Sequence, residues 1–207
     1  MTNRLLLAAS ILSVIAATAT SAAAQATINF IGRYESGLEG GAEISAFDPI
    51  GRRLYVTNGA SETLDIIDMS NPASPVFLTS IAVGGSPTHV QVEGLTVAVS
   101  VDRDGGASPG EVGFLPDQVT LLNGGTLALV ANEGEPTDGI DPPGSITIVD
   151  RIQSGRPRTC TADFSGIAAG DLDESTRLFP GQSPATDFEP EYVTGVLLGR
   201  FAYAALQ

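Results

Sequence analysis

Short apolar runs alternate with turn-forming residues along the chain from residue 27 onward. Almost no segment holds a 3.6-residue apolar period for three turns, and this pattern is typical of an all-β protein. Turn sequences such as Asn58-Gly59, Asn71-Pro72 and Asn123-Gly124 separate the runs. The predicted strands are 42–47, 53–57, 63–69, 76–83, 89–92, 96–101, 118–122, 127–131, 145–150, 191–196 and 201–206.

The predicted strands repeat as a unit. Residues 42–68 and 117–150 align strand by strand, and two further copies begin at residues 88 and 189. Units of about 45 residues with three or four strands each are typical of β-propeller blades. The sequence therefore predicts an incomplete β-propeller with about four partial blades over residues 27–207, with a β-sandwich as the alternative.

The copies are not evenly spaced. The second copy is short and lacks a strand or more between Glu111 and Leu115, and the sequence stops at Gln207 inside the second strand of the fourth copy. An unclosed propeller leaves strand edges exposed. We therefore expect a truncated chain, and a non-functional fragment is one possible product.

The first 26 residues predict a secretory signal peptide. Arg4 precedes an apolar run from Leu5 to about Ala19, small residues follow up to Ala26, and no acidic residue is present. The apolar run is shorter than the roughly 20 residues that a membrane-spanning helix needs. These features predict an exported protein, periplasmic or extracellular, with no stable membrane span once the signal is cleaved.

The charge balance narrows the classes of partner. The chain has 24 acidic and 10 basic residues and a net charge of −14, which opposes binding to nucleic acid phosphates. It has one Cys and one His, which excludes an intramolecular disulfide and Cys-cluster zinc sites. Cys160 is expected to be an unreactive thiol, either buried or in a loop.

Carboxylates are the only chemically active side chains that are numerous enough to build a binding site. Several stand at the starts of the repeated copies, and two follow the second strand of the third copy beside Asn132. Oxygen donors that converge in this way suit Ca²⁺, which relieves the repulsion between them. The alternative is that these are solvated loop residues. The predicted metal ligands are Glu43, Asp117, Glu133, Glu135, Glu189 and Glu191.

The sequence gives less support for a nucleophilic active site than for a metal site. The chain has no Gly-x-Ser-x-Gly sequence and no Lys. His89, the single imidazole, stands at the head of a first strand and is either a general base or, as we favour, a structural or solvent-facing residue. No catalytic residue is assigned.

Three stretches resemble a known family. They are 41–48 with the following Tyr55-Val-Thr-Asn58, then 115–120 with Val130-Ala-Asn-Glu-Gly-Glu-Pro136, and Asp187-Phe-Glu-Pro-Glu-Tyr-Val193. They are similar to the choice-of-anchor I family of secreted, propeller-like bacterial proteins, some of which are catalogued as alkaline phosphatases or cell-surface glycoproteins. The family has a further strand and turn between the stretches that correspond to 109–112 and 115–117, and this chain lacks them.

Two functions remain open at this point. The first is an exported β-propeller that binds an unidentified extracellular or periplasmic ligand through acidic loops. The second is a calcium-dependent phosphoesterase of the alkaline phosphatase or phytase kind, in which metal ions bridge carboxylates and a phosphate.

Overall fold

The computed structural model describes residues 28–103, 113–136, 139–196 and 200–207. Residues 31–207 form one compact unit. The predicted signal peptide at 1–26 lies outside the described residues. Within the described ranges the chain forms antiparallel strands with little helix, which confirms the all-β prediction.

The strands form four sheets that follow chain order. The first sheet contains β1 (Ser45–Asp48), β2 (Arg53–Asn58), β3 (Thr63–Asp68) and β4 (Val76–Ala82), and the second contains β5 (Ser86–Glu93) and β6 (Thr96–Asp102). The third contains β7 (Pro116–Leu122), β8 (Leu127–Asn132), β9 (Ser145–Asp150) and β10 (Arg158–Asp163), and the fourth contains β11 (Pro190–Val196) and β12 (Phe201–Leu206). The short helix α1 (Pro184–Asp187) and three 3₁₀ turns (Gly59–Ser61, Ile152–Ser154 and Ala169–Asp171) lie between strands.

Strands β7 and β8 of the third sheet have buried side chains on both faces, since strand side chains point alternately to opposite sides. One face packs Val119 and Val130 against Ala98 of the second sheet. The other face packs Leu129 and Ala131 against Val193 of the fourth sheet. Side chains of this size each stabilise the fold by about 1.5–3 kcal/mol when fully buried. Neighbouring sheets are thus held together face to face.

Hydrogen bonds reinforce the contacts between neighbouring sheets. The Thr120 hydroxyl donates to the Val193 carbonyl at 2.6 Å, and the Val193 amide donates to Gln118 Oε1 at 3.0 Å. On the other side, the Leu121 amide donates to Gln91 Oε1 of the second sheet. The first strands β5, β7 and β11 therefore lie side by side in chain order.

The structure corrects two sequence-based expectations. Strand β10 was not predicted, because Arg-Thr-Cys-Thr-Ala-Asp lacks an apolar stripe, and its side chains are all exposed. Cys160 was expected to be buried or in a loop, but it is an exposed residue in the middle of this outer strand. An outer strand needs only one hydrogen-bonded neighbour, here β9, so it forms without an apolar face.

No helix within the described residues is both long and apolar enough to cross a membrane.

Candidate cation-binding site

A β-bulge opens the first strand of three successive sheets. In β7, Pro116 pairs with Asn132 and Gln118 pairs with Ala131, so Asp117 is left without a partner residue. Strands β5 and β11 show the same shift directly after a proline. A bulge bends the strand and redirects the extra side chain. The three bulged residues are Thr88, Asp117 and Glu191.

Glu43 occupies the related place in the first sheet. Its amide donates to the Thr57 carbonyl at 3.2 Å, and the Thr57 amide donates to the Ile44 carbonyl at 2.9 Å, just before β1 begins. Glu43 is exposed and its carboxylate faces Gly59. The predicted equivalence of Glu43, Asp117 and Glu191 thus has a structural counterpart, whereas Thr88 interrupts the series with a neutral side chain.

The loop after β8 carries Glu133 and Glu135. The Glu133 amide donates to the Leu115 carbonyl at 3.0 Å, so the chain continues antiparallel to the segment before β7. Gly134 then adopts a φ of 72°, where a Cβ would lie 2.8 Å from the Pro142 carbonyl oxygen. Only glycine tolerates both the positive φ and this close approach.

Gly144 brings the Glu133 loop next to the segment that carries Glu189. A Cβ at Gly144 would collide with the Phe188 carbonyl oxygen and lie 2.7 Å from Pro190 Cδ and 3.1 Å from the Glu133 carbonyl oxygen. Three stretches of backbone therefore meet at one glycine. This contact gathers the carboxylates of the third and fourth sheets.

The electrostatics identify which carboxylates share this region. Burial raises the pKa of Glu133 to about 7, with further contributions from four neighbouring carboxylates. We call Glu133 and these four residues the acidic cluster. Its members are Asp117, Glu133, Glu135, Glu189 and Glu191.

Two acidic residues that the sequence analysis did not select flank the acidic cluster. The pKa of Glu189 is raised chiefly by burial, and then by the charges of Glu135, Asp141, Asp187 and Glu191. Asp141 and Asp187 could have been suspected from the acidic 133–141 loop and from the Asp-Phe-Glu-Pro sequence. The pKa of Asp117 is raised by burial.

The structure brings together five of the six predicted metal ligands. Glu43 is not among the carboxylates that raise the pKa of Glu133 or Glu189. Across the described residues, no three acidic, His or Cys side chains lie close enough to hold one metal ion. The carboxylates of the acidic cluster therefore share an electrostatic field without converging on a single point.

The comparisons with known proteins identify the family. The choice-of-anchor I domain profile matches residues 43–207, which covers most of the chain. The chain belongs to the choice-of-anchor I family. The match confirms the resemblance drawn from the sequence, and membership indicates a secreted or cell-surface protein with a β-rich domain.

Two further comparisons add little to the choice-of-anchor I assignment. A search of curated proteins found no match. Among solved structures, the domain is similar to Kuenenia stuttgartiensis hydrazine synthase, with 20% identity and a TM-score of 0.45. That similarity covers 58% of this chain and 37% of the solved chain.

His89 of the choice-of-anchor I domain lies one residue after the bulge in β5. Burial lowers its pKa, which favours the neutral imidazole, and its Nδ1 is buried without a hydrogen-bond partner. It is not among the groups that shift the pKa of Glu133 or Glu189. The preference for a structural or solvent-facing His89 over a general base stays a prediction.

Proposed function

We propose that this choice-of-anchor I domain is an exported binding module that recognises cationic groups through the acidic cluster. The observation that carries the proposal is the backbone contact at Gly144, which brings the Glu133 loop next to the segment of Glu189. In this region the pKa of Glu133 is raised first by burial and then by four neighbouring carboxylates. The ion pairs found among the described residues join Arg33 to Glu35 and Arg151 to Asp150. Neither supplies a cation to the acidic cluster.

We propose that the four sheets are blades of an incomplete β-propeller. Face-to-face packing between successive sheets and side-by-side first strands support this arrangement. The bulges at the starts of β5, β7 and β11 support it as well, because they mark equivalent positions in successive repeats. In such a fold the acidic cluster stands where the innermost strands begin, at one mouth of the channel.

Calcium is the cation that we propose for the acidic cluster. Ca²⁺ takes 6–8 oxygen ligands in flexible geometries, and carboxylates supply most of them in proteins. Carboxylates that lie close together repel each other, and a divalent cation relieves this repulsion. We expect Ca²⁺ to draw the Glu133 and Glu191 side chains toward each other, with Asp117, Glu135 and Glu189 completing the shell.

Calorimetric titration of the full chain with calcium chloride tests the proposal. We expect saturable binding that the double substitution Glu133→Gln/Glu191→Gln abolishes. Glu62→Gln is the matched control, because it removes an exposed carboxylate in the turn before β3. Glu43→Gln tests whether the sixth predicted ligand participates. Absence of calcium binding by the folded wild-type chain would refute the calcium proposal.

An activity assay separates this proposal from its alternative. Calcium-dependent turnover of an aryl phosphate, lost in chelator and restored by the ion, would support the phosphoesterase instead. Calcium binding without turnover would support the binding module.

A further inference from the structure

An open cleft borders the acidic cluster on the side of the fourth sheet. Its volume is about 390 Å³, which lies in the range of small-molecule sites. The residues that line it differ in chemistry, since carboxylates, a guanidinium and an aromatic ring all face the same space. They include Glu135, Pro136, Arg177, Phe179, Asp187 and Glu189.

Opposite charges line this cleft without neutralising each other. Glu135 and Glu189 both line this cleft. Arg177 lines the same cleft, yet among the described residues it forms no ion pair with Glu135 or Glu189. A ligand that carries one charge of each sign could pair with the two carboxylates and with Arg177 at the same time.

The Arg177 end of the cleft is held in place by its neighbours. The Phe179 amide donates to both carboxylate oxygens of Asp187, at 3.2 and 3.1 Å, which fixes the backbone at Phe179. The Arg177 guanidinium lies 5.5 Å from the centre of the Phe179 ring, within the range of cation–π attraction. Phe179 as a residue is 64% exposed. This end therefore offers a positioned guanidinium and an accessible aromatic surface.

A metal ion alone does not satisfy this cleft, because Arg177 lines it together with the carboxylates and repels a nearby cation. A larger organic cation can contact Glu135 and Glu189 from a greater distance, while an attached anion pairs with Arg177. Guanidinium groups bind phosphate and carboxylate well because their donors match the geometry of two oxygens.

We propose that this cleft binds a small zwitterion, with its ammonium group at Glu135 and Glu189 and its oxyanion at Arg177. The proposal rests on the proposed function, because Glu135 and Glu189 belong to the acidic cluster, and it extends that function through Arg177, which lies outside the cluster. The oxyanion is a phosphate or a carboxylate, both of which fit the guanidinium.

Binding to the full chain can be followed by two-dimensional ¹H–¹⁵N NMR titration. Phosphocholine and glycine betaine are the zwitterionic probes, and choline and inorganic phosphate carry the single charges. We expect at least one zwitterion to bind roughly tenfold more tightly than either single-charge probe, as an added charged hydrogen bond of about 1.4 kcal/mol would give. Comparison of the two zwitterions identifies the preferred oxyanion.

Substitutions test which residues bind each end of the zwitterion. Arg177→Gln should reduce zwitterion affinity to that of choline, and Glu135→Gln/Glu189→Gln should remove binding of choline as well. Arg158→Gln is the control, because it removes an exposed arginine on β10, and circular dichroism confirms that each variant is folded.

Two results would overturn the zwitterion proposal: equal affinity for zwitterions and choline, or no binding of any probe. Calcium titration of Arg177→Gln keeps this result separate from the proposed function, since calcium binding should persist in that variant. Absence of zwitterion binding by the wild-type chain, with calcium binding retained, would refute only the cleft proposal.

Discussion

Asn58 and Asn132 occupy the same place in two different sheets. Each ends the second strand of a four-stranded sheet and donates its side-chain amide to the third strand. Asn58 donates to the buried carboxylate of Asp65 at 2.9 Å, and Asn132 donates to the hydroxyl of Thr147 at 2.9 Å. The strand registers place Asp65 and Thr147 at equivalent positions. The two sheets therefore share one hydrogen-bonded framework with different acceptors.

Asp65→Ala should destabilise the first sheet strongly. The Asp65 carboxylate is 3% exposed and also accepts hydrogen bonds from Thr63 at 3.0 Å and Ser80 at 2.6 Å. Its removal leaves buried donors unsatisfied, and we expect a loss of about 2–4 kcal/mol. Urea unfolding measures this loss.

Thr147→Ala is the matched variant in the third sheet. Asn132 keeps its hydrogen bond to Ser145 at 3.1 Å when Thr147 is shortened, so we expect a smaller loss of about 1 kcal/mol. Equal losses in the Asp65 and Thr147 variants would contradict this account of the framework.

Glu133 should make the protein less stable as the pH rises. Its pKa is about 7 in the folded protein, against 4.5 for an unperturbed carboxyl in the unfolded chain. Between these values the folded state holds more protons than the unfolded state, so the free energy of unfolding falls with increasing pH. The stability associated with the proton is complete below about pH 4.5 and is lost as the pH passes through 7.

Glu133→Gln should remove this pH dependence. In chelator at about pH 8 we expect the variant to be more stable than the wild type by about 1 kcal/mol, a value reduced from the full pKa shift because the carboxyl is partly exposed. Near pH 4.5 the two proteins should have similar stability. Urea unfolding at both pH values measures the difference, and a variant less stable than the wild type at the higher pH would contradict the assignment.

Gly144→Ala should disturb the backbone contact that joins the two halves of the acidic cluster. The added methyl group collides with backbone atoms of Phe188 and Glu133, so the chain must move. We expect a loss of about 1–3 kcal/mol, as for other overpacked positions, and weaker calcium binding.

Gly166→Ala is the control for the Gly144 substitution. A Cβ at Gly166 meets no atom within 4 Å, so this variant should equal or slightly exceed the wild type in stability. Thermal unfolding compares the two variants. Similar midpoints would mean that the backbone contact at Gly144 is not a constraint.

Cys160 should react with a thiol reagent in the native protein. It is exposed in the middle of the outer strand β10, so no unfolding is required. Labelling with a chromogenic disulfide should proceed to one thiol per chain without denaturant. A thiol that labels only in urea would contradict the exposed position.

The sequence predicted the strands wherever apolar residues marked a buried face. Strands such as β3 and β8 have almost entirely buried side chains, and their positions were predicted to within a residue or two at each end. Strands β4 and β12 were predicted from their apolar residues although their side chains are exposed. Strand β10 could not be predicted in this way, because Arg-Thr-Cys-Thr-Ala-Asp has no apolar pattern. Its place depends on the hydrogen-bonding edge of β9, which only the folded sheet provides.

The sequence pointed to the five carboxylates of the acidic cluster but not to their geometry, and their role as metal ligands stays a prediction. The repeat pointed to Asp117 and Glu191 as equivalent residues, and both prove to be bulged. The bulges themselves depend on strand register, which a single strand's sequence does not encode. The separation of Glu43 from the acidic cluster and the addition of Asp141 likewise depend on contacts between distant segments.

Calcium-dependent thermal unfolding tests the central claim most directly. The midpoint of the wild-type chain is compared in chelator and in millimolar calcium chloride by circular dichroism, with Glu133→Gln/Glu191→Gln alongside. A ligand that binds only the folded state raises the midpoint, and ligand at about 100 times its Kd contributes roughly 2.7 kcal/mol. The account predicts a rise of several degrees in the wild type that the double variant loses. A cooperative transition with the same midpoint in both buffers would contradict the claim that the acidic cluster binds this cation.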